Sequence, residues 1–422
     1  MKKTLVVETV AGVLIREVRP ATSLLAREIH GDAVEDSVSR ASEIWGLPDF
    51  VYGAIEIDKS SSRREVGDLF LIVEGVAAIV QIKGRPEPTD DLERERGWVK
   101  KQVARAHSQA VGTFRSLSQH PTELQNARGQ KLQIEPDSYE WLKIVVIEHS
   151  AAPDVSEVDF ALDGDSVVLY RSDWDFLFSE LRSSTGVLQY LQRADGVAPG
   201  KHPEHFYKLA QVDEATAPGP PGFDAEDLGA RIVSTPQMPL KPSGVDNGDR
   251  EMILRIIIED VALVGIAEGS LSERDRLMTL SSLDRFPLVH RADLCAWIPI
   301  AVGKVAEADR ANPGSVTVAS RSFVSPDGET PQFVVVVCAA PATAQLLSKF
   351  NDRTIARHMF FCNKLGTHDI RTVGILVSKP IESGGRLWDT TVALVQGELP
   401  LNPSERSRLL DSYPIQPHDF DA

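Results

Sequence analysis

The pattern of apolar and polar positions is clearest in the first third of the chain. Residues 69–73 (LFLIV) and 76–82 (VAAIVQI) are runs of aliphatic and β-branched residues separated only by Glu74-Gly75. That spacing predicts a β-hairpin with glycine in the turn. Polar residues break the runs at Asp68, Gln81 and Lys83. The start of one hairpin strand lies beside the end of the next, so these three residues are expected together at one end of a sheet. Gln81 and Lys83 are two apart and so share a face.

Other periodicities surround the hairpin. Residues 4–15 read as opening strands. Residues 22–45 read as helical, in two pieces broken near Gly31-Asp32, with Val34, Val38, Ala41 and Trp45 at helical spacing. Gly46-Leu47-Pro48 ends that helix. Residues 50–57 form a strand, 58–64 a polar turn and 84–90 a Pro-containing loop. A long helix over 91–118 follows, with a stripe of Trp98, Val99, Gln102, Ala106, Gln109, Ala110, Thr113 and Leu117. Residues 141–148 (WLKIVVIE) are a buried strand that closes the sheet. The order is helix, three strands, helix, strand. It predicts an α/β domain over 1–150, a mixed sheet flanked by helices.

Residues 151–214 read as an appendage with a strand at 166–170 and helices at 172–181, capped by Ser172 or Asp173, and at 185–193. Residues 215–250 are rich in Pro and Gly and read as a linker, with a short ordered piece at 231–234. From 251 to 422 the pattern predicts a second, mixed α/β or α+β domain. It has helices at 251–266, 272–285, 292–310 and 342–363, strands at 315–323, 332–339, 372–378 and 388–394, and a closing helix from Asn402. Ser270 with Glu273, or Ser272 with Asp275, would cap the second of these helices.

Composition narrows the reading. The 422 residues are too many for one core, and 42% hydrophobic with 25% charged is ordinary for globular chains. The net charge of −16 requires any polyanion site to be a local patch. Cys295, Cys338 and Cys362 lack zinc spacing and read as buried thiols of a cytoplasmic protein. The N-terminus reads as a strand or hairpin and not a signal peptide, and no apolar run is long enough to span a membrane.

Asp68 and the Gln81 amide supply hard oxygen ligands suited to Mg²⁺, with Mn²⁺ as a substitute; the Ile82 backbone carbonyl adds a third. Lys83 would orient a water or stabilise charge on a phosphate. Asp68, Gln81-Ile82-Lys83 and the element order resemble the PD-(D/E)xK nuclease superfamily, closest to the Mrr-like branch in which Gln precedes x-Lys. Gly31-x-x-Val34-Glu35 resembles that branch's G-x-x-F-E, with Val for Phe. The resemblance covers the first third of the chain. It implies a restriction-endonuclease-like domain, Mg²⁺-dependent phosphodiester cleavage, usually of DNA, and a role in restriction or antiphage defence. It also implies that Glu35, or Glu43 in its place, supports the metal or its water. Gln102 and Gln109 would face the site from the long helix, as a Gln often does in that family.

Glu56, near the end of its strand, reads as surface or as an addition to the metal shell. Arg94, Arg96, Lys100, Lys101 and Arg105 cluster on the long helix, where they would bind phosphates or form a solvated face. The expected partner is nucleic acid, DNA first, with a homo-oligomer or a partner protein left open. The alternative is a non-catalytic scaffold of the same fold that binds protein or nucleic acid, its function carried by the C-terminal domain. That domain has no phosphate loop, HExxH or GxSxG. Asp352, Arg353, Arg357 and His358 read as a solvated polar face, His107 as structural or solvated, and Trp174, Phe176, Leu177 and Tyr190 as core.

Overall fold

A computed structural model describes residues 3–9, 12–24, 26, 27, 29–59, 62–120, 122–216, 238, 248–263, 272–286, 288–312, 316–323, 331–380 and 388–414. The fold is mixed α/β, in two compact units. The first takes in the chain to Ala215 and returns for Met238 and the stretch ending at Asp284. The second takes in α6 (Gly248–Leu263) and the chain from Arg285 onward.

The first unit opens with an antiparallel pair, β1 (Lys3–Thr9) and β2 (Gly12–Val18). Then come α1 (His30–Trp45), β3 (Val51–Lys59), β4 (Ser62–Val73), β5 (Val76–Arg85) and α2 (Leu92–Gln119). A small pair follows, β6 (Thr122–Gln125) and β7 (Lys131–Ile134), then β8 (Glu140–His149) and β9 (Ser166–Tyr170). The main sheet runs β3-β4-β5-β8-β9. Its first three strands are antiparallel, and β5, β8 and β9 are parallel. Helices α3 (Arg171–Leu181), α4 (Ser184–Gln192) and α5 (His202–Thr216) complete this part. Trp174, Phe176, Leu177 and Tyr190 are buried, as expected.

The two faces of the sheet follow from alternation along the strands. Val99, Val103 and Ala106 of α2 pack on Val145 and Ile147 of β8 and on Val168 and Tyr170 of β9. Gln81 is in register with Val145 and Lys83 with Ile147, so both belong to the α2 face. Gly84 belongs to the other face, where α1 sits. A Cβ at Gly84 would lie 3.1 Å from both His30 Cδ2 and Val34 Cγ2, so glycine lets the first turn of α1 rest on β5.

Several details differ from the sequence expectation. Residues 22–24 are not helical; Thr22 instead binds the Asp175 carboxylate through its N–H and hydroxyl, both at 2.8 Å. Strands β3 and β4 run on past the expected turn, with Lys59 still opposite Ser62. Asp68 therefore lies inside β4. The β6–β7 pair has no counterpart among the expected elements. The piece expected at 231–234 and Ser270 lie outside the described residues. Ser272 and Asp275 do form the cap at the start of α7 (Glu273–Asp284), with Asp275 N 3.1 Å from Ser272 Oγ.

Helix α7 belongs to the first unit, although the sequence boundary puts it in the C-terminal domain. Buried polar contacts explain this. Arg276 NH1 donates to Asp49 Oδ1 at 2.7 Å, and Arg128 Nε donates to Asp49 Oδ2 at 2.6 Å. Ser281 Oγ accepts the Glu74 N–H in the hairpin turn at 3.0 Å. Asp284 Oδ2 accepts from Ser183 Oγ at 2.9 Å and Thr185 N at 2.8 Å.

The second unit carries α8 (Leu288–Ala311) and a four-stranded sheet of β10 (Val318–Phe323), β11 (Gln332–Pro341), β12 (Arg371–Lys379) and β13 (Asp389–Gln396). The order is β10-β11-β12-β13. Its central pair is parallel and joined through α9 (Ala344–Leu365), and α10 (Pro403–Ser412) packs on α9. The polar face expected on α9 is not solvated. Arg357 and His358 are each only 1% exposed, because this side of α9 lies against the sheet and β13.

Candidate active site

The ladder between β4 and β5 runs from Val73↔Val76 to Leu69↔Val80 and stops there. On the other side of β4, the register with β3 shifts between Gly53 and Ile55, so that Gly67 and Asp68 together face Ala54. This β-bulge re-aims the strand. Gly67 has φ +77, and the Phe70 ring fills the space a Cβ would need, its Cζ 2.7 Å away. Only glycine fits there.

Beyond the last ladder pair the Asp68 side chain takes over from the backbone. Asp68 Oδ2 accepts the Ile82 N–H at 2.6 Å and lies 3.3 Å from Lys83 Nζ. Both side chains keep 20% of their surface exposed, which leaves the pair open to a ligand. Gln81 is 2% exposed and, among the described residues, its amide makes no hydrogen bond. Asp68 and Lys83 thus meet at the end of the hairpin, and Gln81 lies on the same strand face two positions before Lys83.

Helix α2 covers this face. Asp91 accepts the Arg94 N–H at 3.1 Å and starts the helix. The buried stripe is Glu95, Val99, Val103, Ala106, Ala110, Thr113 and Leu117. Trp98, Gln102 and Gln109 are half-buried beside it, and Gln109 Oε1 is buried without a partner. His107, 3.1 Å from Asp163, marks the opposite flank, toward β9. Gln102 and Gln109 therefore lie toward β5 and β4, the side of the candidate site. Of the cluster expected to bind phosphate, Arg94, Lys100, Lys101 and Arg105 are exposed. Arg96 is instead engaged, 2.6 Å from Glu93 and 2.9 Å from the Asp154 carbonyl.

Sequence reasoning missed Glu95. Its carboxylate is fully buried and gathers Arg85 (3.0 Å from both Nε and NH2), Thr89 (3.0 Å from N, 2.8 Å from Oγ1) and His149 (2.9 Å from Nε2). The Arg85 guanidinium, then the Thr89 N–H, hold this carboxyl well below the usual range. The cluster ties the ends of β5 and β8 to α2, two residues beyond Lys83. Its only sequence signal is a Glu among apolar positions of a helical stripe.

Glu35 is exposed on α1, directly after Val34, which lies near Gly84, and no described hydrogen bond joins it to Asp68, Gln81 or Lys83. Glu43 accepts from Ser39 Oγ at 2.7 Å. The Glu56 side chain lies outside the described residues. No group of three or more His, Cys, Asp and Glu side chains suited to a metal occurs among the described residues. The set at the hairpin is of another kind, with one carboxylate, one amide and one backbone carbonyl.

The other unit holds a thiol–imidazole pair. Cys362 Sγ lies 3.5 Å from His358 Nε2, but that nitrogen is also 2.9 Å from the Gly397 carbonyl, and Nδ1 is 3.0 Å from Thr372 Oγ1. A nitrogen that donates to a carbonyl cannot take the thiol proton. Burial pushes the Cys362 thiol up and the His358 imidazole down, so the pair is neutral and the sulfur is not activated.

No protein-family model, curated protein or solved structure matches the chain. No described helix is long and apolar enough to cross a membrane.

Proposed function

We propose that the first unit is a divalent-metal-dependent phosphodiesterase acting on nucleic acid, of the PD-(D/E)xK kind with Gln in place of the second acid. The observation that carries the reading is the Asp68 carboxylate at the end of the β4–β5 ladder, bound to Ile82 N and Lys83 Nζ, with Gln81 on the same face of β5 as Lys83. The helix–three strands–helix–strand order, with β5 and β8 parallel, supports it.

The donor set fits Mg²⁺ or Mn²⁺. Asp68 Oδ1 and the Gln81 amide oxygen take no described hydrogen bond, and the Ile82 carbonyl leaves the same edge of the strand as its N–H. A bound ion would polarise the phosphoryl oxygen and make a water acidic enough to attack. Asp68 would hold the ion and, through Ile82 N, fix the strand that carries the other two donors. Lys83, released from Asp68, would hold its positive charge beside the developing charge at phosphorus. Gln102 would orient groups from the helix side. A place in restriction or antiphage defence is compatible with this chemistry.

Mn²⁺ titration followed by calorimetry tests the reading. Binding by the parent, weakened at least about tenfold in Asp68→Ala, is the expected result. Equal binding by the two proteins, or none by either, would favour the non-catalytic scaffold.

A further inference from the structure

Helix α2 turns a different surface to solvent from the one it buries. From Gly97 to Gln119 its exposed positions are Gly97, Lys100, Lys101, Ala104, Arg105, Ser108, Gly112, Arg115, Ser118 and Gln119. Four are cations and none is an acid. Lys100, Lys101, Arg105 and Arg115 have no ion-pair partner among the described residues. Ser108 and Ser118 turn their hydroxyls back onto the Ala104 and Phe114 carbonyls, at 2.9 and 3.0 Å, which leaves short, smooth ground between the cations. In a chain of net charge −16 this concentration of positive charge is a local feature. The preceding turn differs: Asp90, Asp91 and Glu93 surround Arg94 there, and Arg96 is engaged.

We infer that the outward face of α2, Lys100, Lys101, Arg105 and Arg115, is a track for the phosphate backbone of a nucleic-acid strand. The inference rests on the phosphodiesterase reading and names how its substrate is held. Charge complementarity selects a polyanion. The choice of nucleic acid follows from position. Glu95 on α2 meets Arg85 at the end of β5, and Phe114 meets Trp141, which pairs with Ala77, near the start of β5. Between these anchors α2 runs antiparallel to β5, so Lys101 and Arg105 stand level with Gln81 and Lys83. Lys100 to Arg115 spans about 22 Å at helical rise, enough for several phosphates. The small residues between the cations let the backbone come close. Phosphate binding of this kind carries little sequence information, so discrimination would come from elsewhere.

The test is binding of a fluorescein-labelled single strand and of a duplex by the full chain in EDTA, where no cleavage occurs. Proteins compared are the parent, Lys101→Glu/Arg105→Glu, and Arg408→Glu, an exposed reversal in the other unit. The inference expects the double reversal to bind at least about tenfold more weakly at low salt. It also expects the slope of log affinity against log salt to be shallower by about 1.4 to 1.8, since each phosphate neutralised adds about 0.7 to 0.9. Arg408→Glu should match the parent, and circular dichroism should show both variants folded. If parent and double reversal bind nucleic acid equally, the track is wrong while the phosphodiesterase reading stands. If the parent binds no nucleic acid but holds anionic vesicles or polyglutamate through the same residues, the track serves another polyanion and the inference is overturned. Parent protein that binds no nucleic acid and no Mn²⁺ removes both.

Discussion

Asp68 reaches across to Ile82 with its side chain where the backbone ladder would have continued, Oδ2 to N at 2.6 Å. The carboxylate thus does two jobs. It closes the sheet at the point where β4 bulges away, and it holds Lys83 at 3.3 Å. Removing it should therefore cost stability as well as chemistry. Asp68→Asn keeps an acceptor for Ile82 and should lose no more than about 1–2 kcal/mol of unfolding free energy. Phosphodiesterase activity should fall at least about a hundredfold, the scale of one missing electrostatic group in an active site. Urea unfolding and a cleavage assay on the same preparation measure both. Full activity in Asp68→Asn would contradict the assignment.

The buried pair Asp49–Arg276 predicts that the first unit needs α7. Both side chains are almost wholly buried and 2.7 Å apart. Arg276→Ala leaves Asp49 with Arg128 alone and should destabilise the unit by about 3–5 kcal/mol, as breaking a buried ion pair does. A chain ending at residue 215 should lack a stable fold for the same reason. A sharp, near-parent unfolding transition in either protein would count against this role.

The Glu95 cluster predicts a pH dependence. Arg85 and the Thr89 N–H hold the Glu95 carboxyl below its ordinary value. Its stabilising contribution is therefore fully present above the unfolded-state value of about 4.3 and is lost as pH falls toward the depressed folded value. Glu95→Gln should be less stable than the parent at pH 7, and the gap should close progressively below about pH 4. Urea midpoints from neutral pH down into the acid range would show it; a gap independent of pH would refute the linkage.

The seat of α1 on β5 predicts the effect of Gly84→Ala. Its Cβ would stand 3.1 Å from His30 Cδ2 and Val34 Cγ2 and 3.2 Å from His30 Nε2. The first turn of α1 must shift, at a cost of about 1–3 kcal/mol, and Lys83, next in the strand, should shift with it. Val34→Ala in the same chain should restore part of the stability. A double-mutant cycle on melting and cleavage measures the coupling.

How much of this is legible in the sequence depends on the range of the contacts. The β4–β5 hairpin, α2 and β8 follow from local period and turn chemistry, and so does the meeting of Asp68 and Lys83. The bulge at Gly67-Asp68 is hidden, because a glycine in a strand does not announce which partner residue it skips. So is the burial of Arg357 and His358. Their polar character suggests solvent, while their partners, the Tyr413 carbonyl, Thr372 and the Gly397 carbonyl, are supplied by other elements. Asp49 and Arg276 stand 227 positions apart, and no local rule joins them. Residues 22–24 carry a helical composition, but the Thr22–Asp175 contact holds them outside the helix.

The central claim is tested most directly by cleavage. A panel of linear, circular, single-stranded and methylated DNA, and RNA, would be incubated with Mg²⁺ or Mn²⁺ and the parent, Asp68→Ala or Lys83→Ala. Cutting by the parent that both variants lack is the predicted result. Equal cutting by all three, or none by any under either metal, would contradict a hydrolytic site at the hairpin.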